Sequence, residues 1–417
     1  MYFIRILIIC LIPLSVFSEV PPEYKKIISS FKVSNDSFTL VIKNLTNKSE
    51  QLITHNEKNF FNPASLAKIV STFIALEVLG PQFSWQSDFY HNGTINGDTL
   101  NGDLIFKGRG DATFSINNLE NSIRKIQRKG LKKINGNLIL DMSYFGLDSK
   151  EKTFDNDPMR AYNALPTPVV IQSNTMNFIF TTKDSNLDIE SNPDIEYVTI
   201  KNNIKITNNR CIDWKSKLNY RTKKENSKIK VIFSGKYSRK CGTKSINLSV
   251  LDDNKYFYNI FKDRWNANGG DFSGDLDVTF IKGADWKVLH SHISKPLSEV
   301  IRDTNKYSLN LLARNTMLTV LAEDSDLLVL ESSVNKYVQK WLKKNNLPYK
   351  GLFFENGAGL SRNSVLTSEQ LLLLMEKIYY DPLMPEMLSS FPISGVDGTL
   401  KRRMNYSSFK KSAHFKT

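Results

Sequence analysis

The chain has 417 residues, 41% of them hydrophobic and 11% aromatic, enough to bury a core and, at roughly 150 residues per domain, to form two or three domains. Its formal net charge of +14 suits an anionic partner such as nucleic acid, a membrane surface or an acidic wall polymer. The lysines are nonetheless spread along the whole length among interleaved acids, and no recognition motif accompanies them. The charge therefore reads as compositional, nucleic acid is excluded as a partner, and a peripheral contact with a membrane surface is the part of that expectation left open.

In chain order, Met1 to Arg5 is a short basic start and Ile6 to Phe17 an almost unbroken apolar run ending at Ser18. These are the three parts of a secretory signal peptide, with cleavage after Ser18 and a periplasmic destination. The run falls short of the roughly 20 residues of a spanning helix, although an uncleaved anchor is the alternative. Cys10 lacks the preceding small residue of a lipoprotein site. Phe38–Ile42 and Gln51–Thr54 alternate about a turn-like Asn44–Glu50 and read as a hairpin. Ser65–Leu79 is helical, with Leu66, Ile69, Val70, Phe73, Ile74 and Leu76 apolar and Gly80-Pro81 as its stop.

From about Phe89 to Trp286 period-2 runs and Gly or Asn turns dominate, among them Gly102–Phe106, Ile134–Leu140, Asn177–Phe180, Tyr197–Ile200 and Ile229–Phe233. One helical stretch, Ile116–Lys129, interrupts them, and His290-Ser-His292 reads as strand or loop surface. Beyond Lys295-Pro296 the spacing turns helical again over Leu297–Leu321, Leu327–Lys344 and Thr367–Tyr380. The expected organisation is a helix-rich α/β domain, residues 19–88 and 287–417, split by a β-rich insertion over 89–286.

Export leaves Cys211 and Cys241, read as one disulfide closing a loop of about 30 residues and adding about 3 kcal/mol, or as two buried thiols. Neither cysteine has a Cys or His at ligand spacing and the chain holds five histidines, so no metal site and no cofactor are expected.

Ser-x-x-Lys by chance is common in so lysine-rich a chain, recurring for example at Ser29/Lys32 and Ser122/Lys125. Ser65 and Lys68 differ in setting. They share one face of an otherwise apolar helix, where burial lowers a lysine's pKa toward the range in which it can take a proton from a serine. The plainer alternative is a helix-capping serine beside a lysine that reaches solvent. Ser308-x-Asn310 is the second candidate, set in the helical stretch Ile301–Arg314. There a hydroxyl could relay a proton and an amide could hold a peptide backbone.

At this point resemblance adds to spacing. Asn62-Pro-Ala-Ser-Leu-Ala-Lys68, the run from Pro296 through Arg302, Asn305-Lys306 and Ser308 to Asn310, Glu355-Asn-Gly-Ala-Gly-Leu-Ser-Arg362 and Gly395–Arg403 resemble, in this order, the signatures of class C low-molecular-mass penicillin-binding proteins, the D-alanyl-D-alanine carboxypeptidase/endopeptidases. Gly108-Arg-Gly-Asp111, Tyr162–Pro166 and the placing of the two cysteines are similar to family segments as well. The resemblance implies a penicillin-binding-protein/β-lactamase-like α/β transpeptidase domain split by the insertion, with peptidoglycan stem peptides as substrate and β-lactams as acylating inhibitors.

It also implies roles: Ser65 as nucleophile, Lys68 as general base, Ser308 as proton shuttle and Asn310 as holder of the substrate amide. Lys416 and Thr417 resemble the opening of a Lys-Thr-Gly strand and would contact the substrate carboxylate. The insertion would narrow the cleft, with Asp157 reaching a diaminopimelate-type amine. Family members continue past this strand, and one oxyanion donor worth about 2.7–4 kcal/mol lies there, so the 417-residue form is expected to be a truncated, inactive or unstable copy. A β-lactamase-like hydrolase and a non-catalytic wall-binding relic of the family are the rival expectations.

Overall fold

The computed structural model of the protein describes residues 22–30, 33–47, 52–146, 154–183, 186–280, 285–403 and 410–417. The leader-like residues 1–18 lie outside them. Helices follow in chain order as α1 (Pro22–Ser30), α2 (Ala67–Leu79), α3 (Ile116–Arg128), α4 (Asp253–Ala267), α5 (Leu297–Tyr307), α6 (Asn310–Asp324), α7 (Val334–Lys344), α8 (Ser368–Tyr380) and α9 (Met384–Ser390). Among the described residues no helix is long and apolar enough to cross a membrane.

Two hydrophobic cores organise the molecule. The first, in the helical body, is centred on α2, in which every residue from Ala67 to Leu76 is buried. Phe73, Ile74 and Ala75 pack there with Leu297 and Ile301 of α5, Leu312 and Met317 of α6, and Val338 and Trp341 of α7. A helix apolar on all sides has no water-facing side on which to place its polar residues. The hairpin of Leu40–Ile42 and Ile53–His55 lies at the edge of this body, against α8.

The second core belongs to the inserted region. A five-stranded sheet has the spatial order Leu276–Thr279, Leu138–Asp141, Leu104–Lys107, Gln86–His91, Lys287–Ile293. Its first strand in the chain, Gln86–His91, pairs antiparallel with its last, Lys287–Ile293, so the chain leaves the body and returns to it side by side. His290 and His292 sit within that last strand. A three-stranded sheet follows, Val198–Thr207 and Leu218–Glu225 flanking the central Lys228–Ser238. Cys211 and Cys241 form a disulfide, Cα atoms 5.0 Å apart.

Three expectations are corrected. The inserted region holds a second helix, α4, whose Tyr256, Phe257, Ile260, Phe261 and Trp265 fill the same core as Leu119, Ile123 and Ile126 of α3. Ser65 lies in a short 3-10 turn, Ala64–Leu66, that leads into α2 and is not part of the helix proper. The stretch Leu297–Leu321 is two helices, because Ser308 adopts a left-handed backbone (φ 57°, ψ 44°) that ends α5 before α6 begins at Asn310.

Candidate active site

The turn before α2 sets the position of Ser65. Asn62 Oδ1 accepts from the Ala64 N–H at 2.9 Å while Asn62 Nδ2 donates to the Ser361 carbonyl at 2.8 Å, fixing the turn against the loop 355–362. Ala64 has a left-handed φ of 44°. Gly359 packs so closely behind it that a Cβ there would lie 1.8 Å from the Ala64 carbonyl oxygen, which only glycine permits. The same loop reaches α2 one turn further on, where Ser71 Oγ donates to the Gly357 carbonyl at 2.7 Å.

Lys68 is fully buried, and its Nζ donates to the Ala358 carbonyl at 2.7 Å and to Asn310 Oδ1 at 2.8 Å, with Ser65 Oγ at 3.3 Å. Burial, reinforced by the nearby Lys416 ammonium, brings its pKa from 10.5 down to about 7. A neutral amine has two N–H donors and one lone pair. With both donors directed to carbonyl oxygens, the lone pair is left for the Ser65 hydroxyl.

The left-handed corner at Ser308 completes the cluster, placing its Oγ 2.7 Å from Ser65 Oγ. Such backbone in a non-glycine residue costs of order 1 kcal/mol and is held by its surroundings. Here α5 is anchored by Asn305, whose Nδ2 donates to Thr72 Oγ1 (3.1 Å) and Ser390 Oγ (2.9 Å), and by the buried Lys306, paired with Asp397 at 2.5 Å. Gly398 lets that loop approach: a Cβ there would meet the Lys306 carbonyl at 2.3 Å.

Residues 392–394 in turn pair with the segment that carries Lys416. Ser394 N donates to the Ala413 carbonyl at 3.0 Å and Phe415 N to the Pro392 carbonyl at 2.9 Å. Lys416 Nζ lies 3.2 Å from Ser308 Oγ, and burial lowers its pKa to about 8. Thr417 Oγ1 meets Thr399 Oγ1 at 3.0 Å, on the exposed side of the same segment.

The structure thus brings together Ser65, Lys68, Ser308, Asn310 and Lys416, with Thr417 beside them. Asp157 stands apart: its Oδ2 accepts from Arg160 Nε and from the Tyr220 hydroxyl, each at 2.8 Å. It belongs to the wall of a cavity of about 1000 Å³ that shares Tyr162 and Asn247 with a cleft of about 580 Å³ containing Ser308 and Asn310.

Sequence reasoning assigned no role to the carbonyls of Ala358 and Tyr162. The latter accepts from Asn310 Nδ2 at 3.2 Å and so fixes which way that amide faces. Asn315, one turn and a half along α6, donates to the carbonyls of Gly110 (2.9 Å) and Thr167 (3.1 Å), fastening the inserted region to the body. Backbone acceptors leave no residue-type signal. The small residues Gly357-Ala-Gly359 were the legible hint of a close approach.

Comparison with known proteins gives a family match over residues 25–417, to the D-Ala-D-Ala carboxypeptidase 3 (S13) family. D-alanyl-D-alanine carboxypeptidase DacB of Haemophilus influenzae is 24% identical over 371 residues, covering 87% of this chain and 75% of that protein. Penicillin-sensitive carboxypeptidase A of Dictyostelium discoideum is 27% identical over 389 residues, covering 87% and 72%. Among solved structures, penicillin binding protein 4 from Haemophilus influenzae shares the fold, with a TM-score of 0.75 at 23% identity over 90% of this chain and 83% of that one.

Proposed function

The chain belongs to the D-Ala-D-Ala carboxypeptidase 3 (S13) family, as a penicillin-binding serine carboxypeptidase, and on that premise we propose that Ser65 is its acyl-accepting nucleophile and Lys68 the base. The observation that carries the assignment is the separation of two neighbouring lysines into different roles. Lys68, buried and lowered toward neutrality, has its Nζ on the Ala358 carbonyl and Asn310 Oδ1 and 3.3 Å from Ser65 Oγ, whereas Lys416 Nζ reaches Ser308 Oγ on the far side of the cluster.

Ser65 gives its proton to Lys68 Nζ as its Oγ attacks the carbonyl carbon of the D-Ala-D-Ala bond. The positive end of α2 favours the negative charge that develops. The proton taken by Lys68 passes on through Ser308 to the departing D-Ala amine, which leaves Lys68 neutral for the next step and Lys416 a cation. Water then hydrolyses the Ser65 ester, with Lys68 again taking a proton. Asn310 holds the substrate amide, and Lys416 with Thr417 receives the terminal carboxylate. A β-lactam enters the same sequence and stalls at the ester.

Within this reading the substrate is the stem peptide of peptidoglycan and the place of action is the periplasm. The leader-like residues 1–18 and the Cys211–Cys241 disulfide support that location. For Asp157 to meet a substrate amine, that amine has to displace Arg160; loss of preference for amine-bearing stems in Asp157→Asn is the corresponding expectation.

The test is the intact mass of the protein after exposure to benzylpenicillin, together with D-Ala release from a D-Ala-D-Ala peptide. One adduct mapping to Ser65 and absent from Ser65→Ala is expected. An adduct that persists in Ser65→Ala overturns the assignment.

A further inference from the structure

The lysines that look dispersed in sequence are gathered by strand register onto one face of the three-stranded sheet. Its central strand turns Val231, Phe233 and Tyr237 into the core, so Lys228, Lys230, Ile232, Ser234 and Lys236 face outward. On one side Lys201 is in register with Ile232 and Lys205 with Lys236; on the other, Arg221 is in register with Ile232 and Lys223 with Lys230. Seven cations therefore share a face on which Glu225 is the one outward carboxylate of these strands.

Glu225 pairs with Lys230, and Lys228 reaches Glu196 at 2.9 Å. Lys201, Lys205, Arg221, Lys223 and Lys236 are exposed and make no ion pair among the described residues. Like charges directly opposite each other weaken a sheet, and here this happens at Lys223/Lys230 and again at Lys205/Lys236. Lysine on edge strands alone would be explained as protection against edge pairing, but Lys228, Lys230 and Lys236 are on the central strand. The spacing, about 4.8 Å between strands and about 6.8 Å between alternate residues, keeps neighbours within the roughly 8 Å over which charges act together at physiological salt.

We propose that this face is a docking surface for a polyanionic cell-wall strand, whose stem peptides present carboxylates to the cation lattice. The proposal rests on the peptidase reading for the identity of the polymer. The face is held apart from the chemistry. Its other side carries Tyr220, which bonds Asp157 at 2.8 Å in the wall of the larger cavity, so the cations stand on the side of the sheet opposite that wall. Charge complementarity favours a polymer over a bilayer, since Ile232 is the one large apolar outward residue of the central strand and is 7% exposed, leaving no apolar anchor for lipid there.

The experiment is co-sedimentation with purified sacculi, using the full chain and the combined variant Lys201→Thr, Lys205→Thr, Arg221→Thr and Lys236→Thr. The variant should bind sacculi about ten-fold more weakly or worse, the low end of what a charged surface contributes. It should still take up benzylpenicillin at the wild-type rate, showing that fold and cleft are intact. Wild-type binding should also weaken as salt rises from about 0.05 to 0.2 M, a readout independent of whether the variant folds.

Sacculus binding that is indifferent to salt or to the four substitutions overturns the proposal. So does binding to phosphatidylglycerol vesicles that needs these residues when sacculus binding does not. Ser65→Ala should sediment like wild type, so a failure of the catalytic reading would show as a missing adduct while leaving this result to stand or fall separately.

Discussion

Lys68 lies at the centre of the body, fully buried, with its nitrogen held by two carbonyl oxygens and a serine. Lys201, Lys205 and Lys236 stand in water on the outer face of the inserted sheet, in rows whose partners are again cations or neutral residues. The first setting disfavours the charge on a lysine; the second accumulates charge and leaves a field. Residue type decides neither outcome. The difference lies in what each element packs against: α2 is enclosed on every side, whereas the sheet has a core on one side and solvent on the other.

The largest effect that could break this contrast is at the nucleophile. Ser65→Ala should lower peptide hydrolysis by about 10⁴-fold or more and abolish the penicillin adduct, measured by D-Ala release and intact mass. Lys68→Met keeps the length and apolar stem while removing the base, and acylation should fall by about 10²–10⁴-fold in stopped-flow with a chromogenic β-lactam. An unchanged rate would place the base elsewhere. Gly359→Ala pushes a methyl into the Ala64 carbonyl and displaces the serine turn. Acylation should drop by about 10²-fold, with a stability loss of about 1–3 kcal/mol in urea titration.

A pH series sharpens the same point. Below about 7 Lys68 holds its proton and cannot accept another, so the acylation rate should climb about ten-fold per pH unit and level above that value. Between about 7 and 10.5 the unfolded chain carries the Lys68 proton and the folded chain does not, so stability should rise with pH across that window. Lys68→Met should flatten the rate curve and remove the stability rise between about 7 and 8, while above about 8 the rise that Lys416 contributes should remain. The smallest effect on catalysis is expected in the other region: replacing Cys211 and Cys241 by serine should cost about 3 kcal/mol of stability and leave the acylation rate unchanged below the melting transition.

Which residues gather in the candidate site was largely legible before the structure because its signal is local. Ser65 and Lys68 stand out against an apolar helix, and the motif order adds Ser308, Asn310 and Lys416. The corner at Ser308 was not legible, since Leu297–Leu321 keeps its helical spacing straight through a break that depends on one left-handed residue. Helix α4 was hidden by its composition. Tyr256, Phe257, Phe261 and Trp265 have helical spacing, but aromatic residues favour strands and sit here among asparagines and lysines in a β-rich stretch. The basic face was unreadable for a different reason: which lysines become neighbours depends on how Val198–Thr207 and Leu218–Glu225 register against Lys228–Ser238, a pairing no single segment encodes.

Asn310 Oδ1 accepts from Lys68 of the body, and its Nδ2 donates to the Tyr162 carbonyl of the inserted region. The amide cannot be turned over without setting two donors, or two acceptors, against each other. Any replacement for the inserted region would therefore have to deliver a backbone oxygen to the same point in space. The inserted region and the body are matched at this atom as they are at Asn315, so neither could be exchanged alone without leaving a buried amide unpartnered.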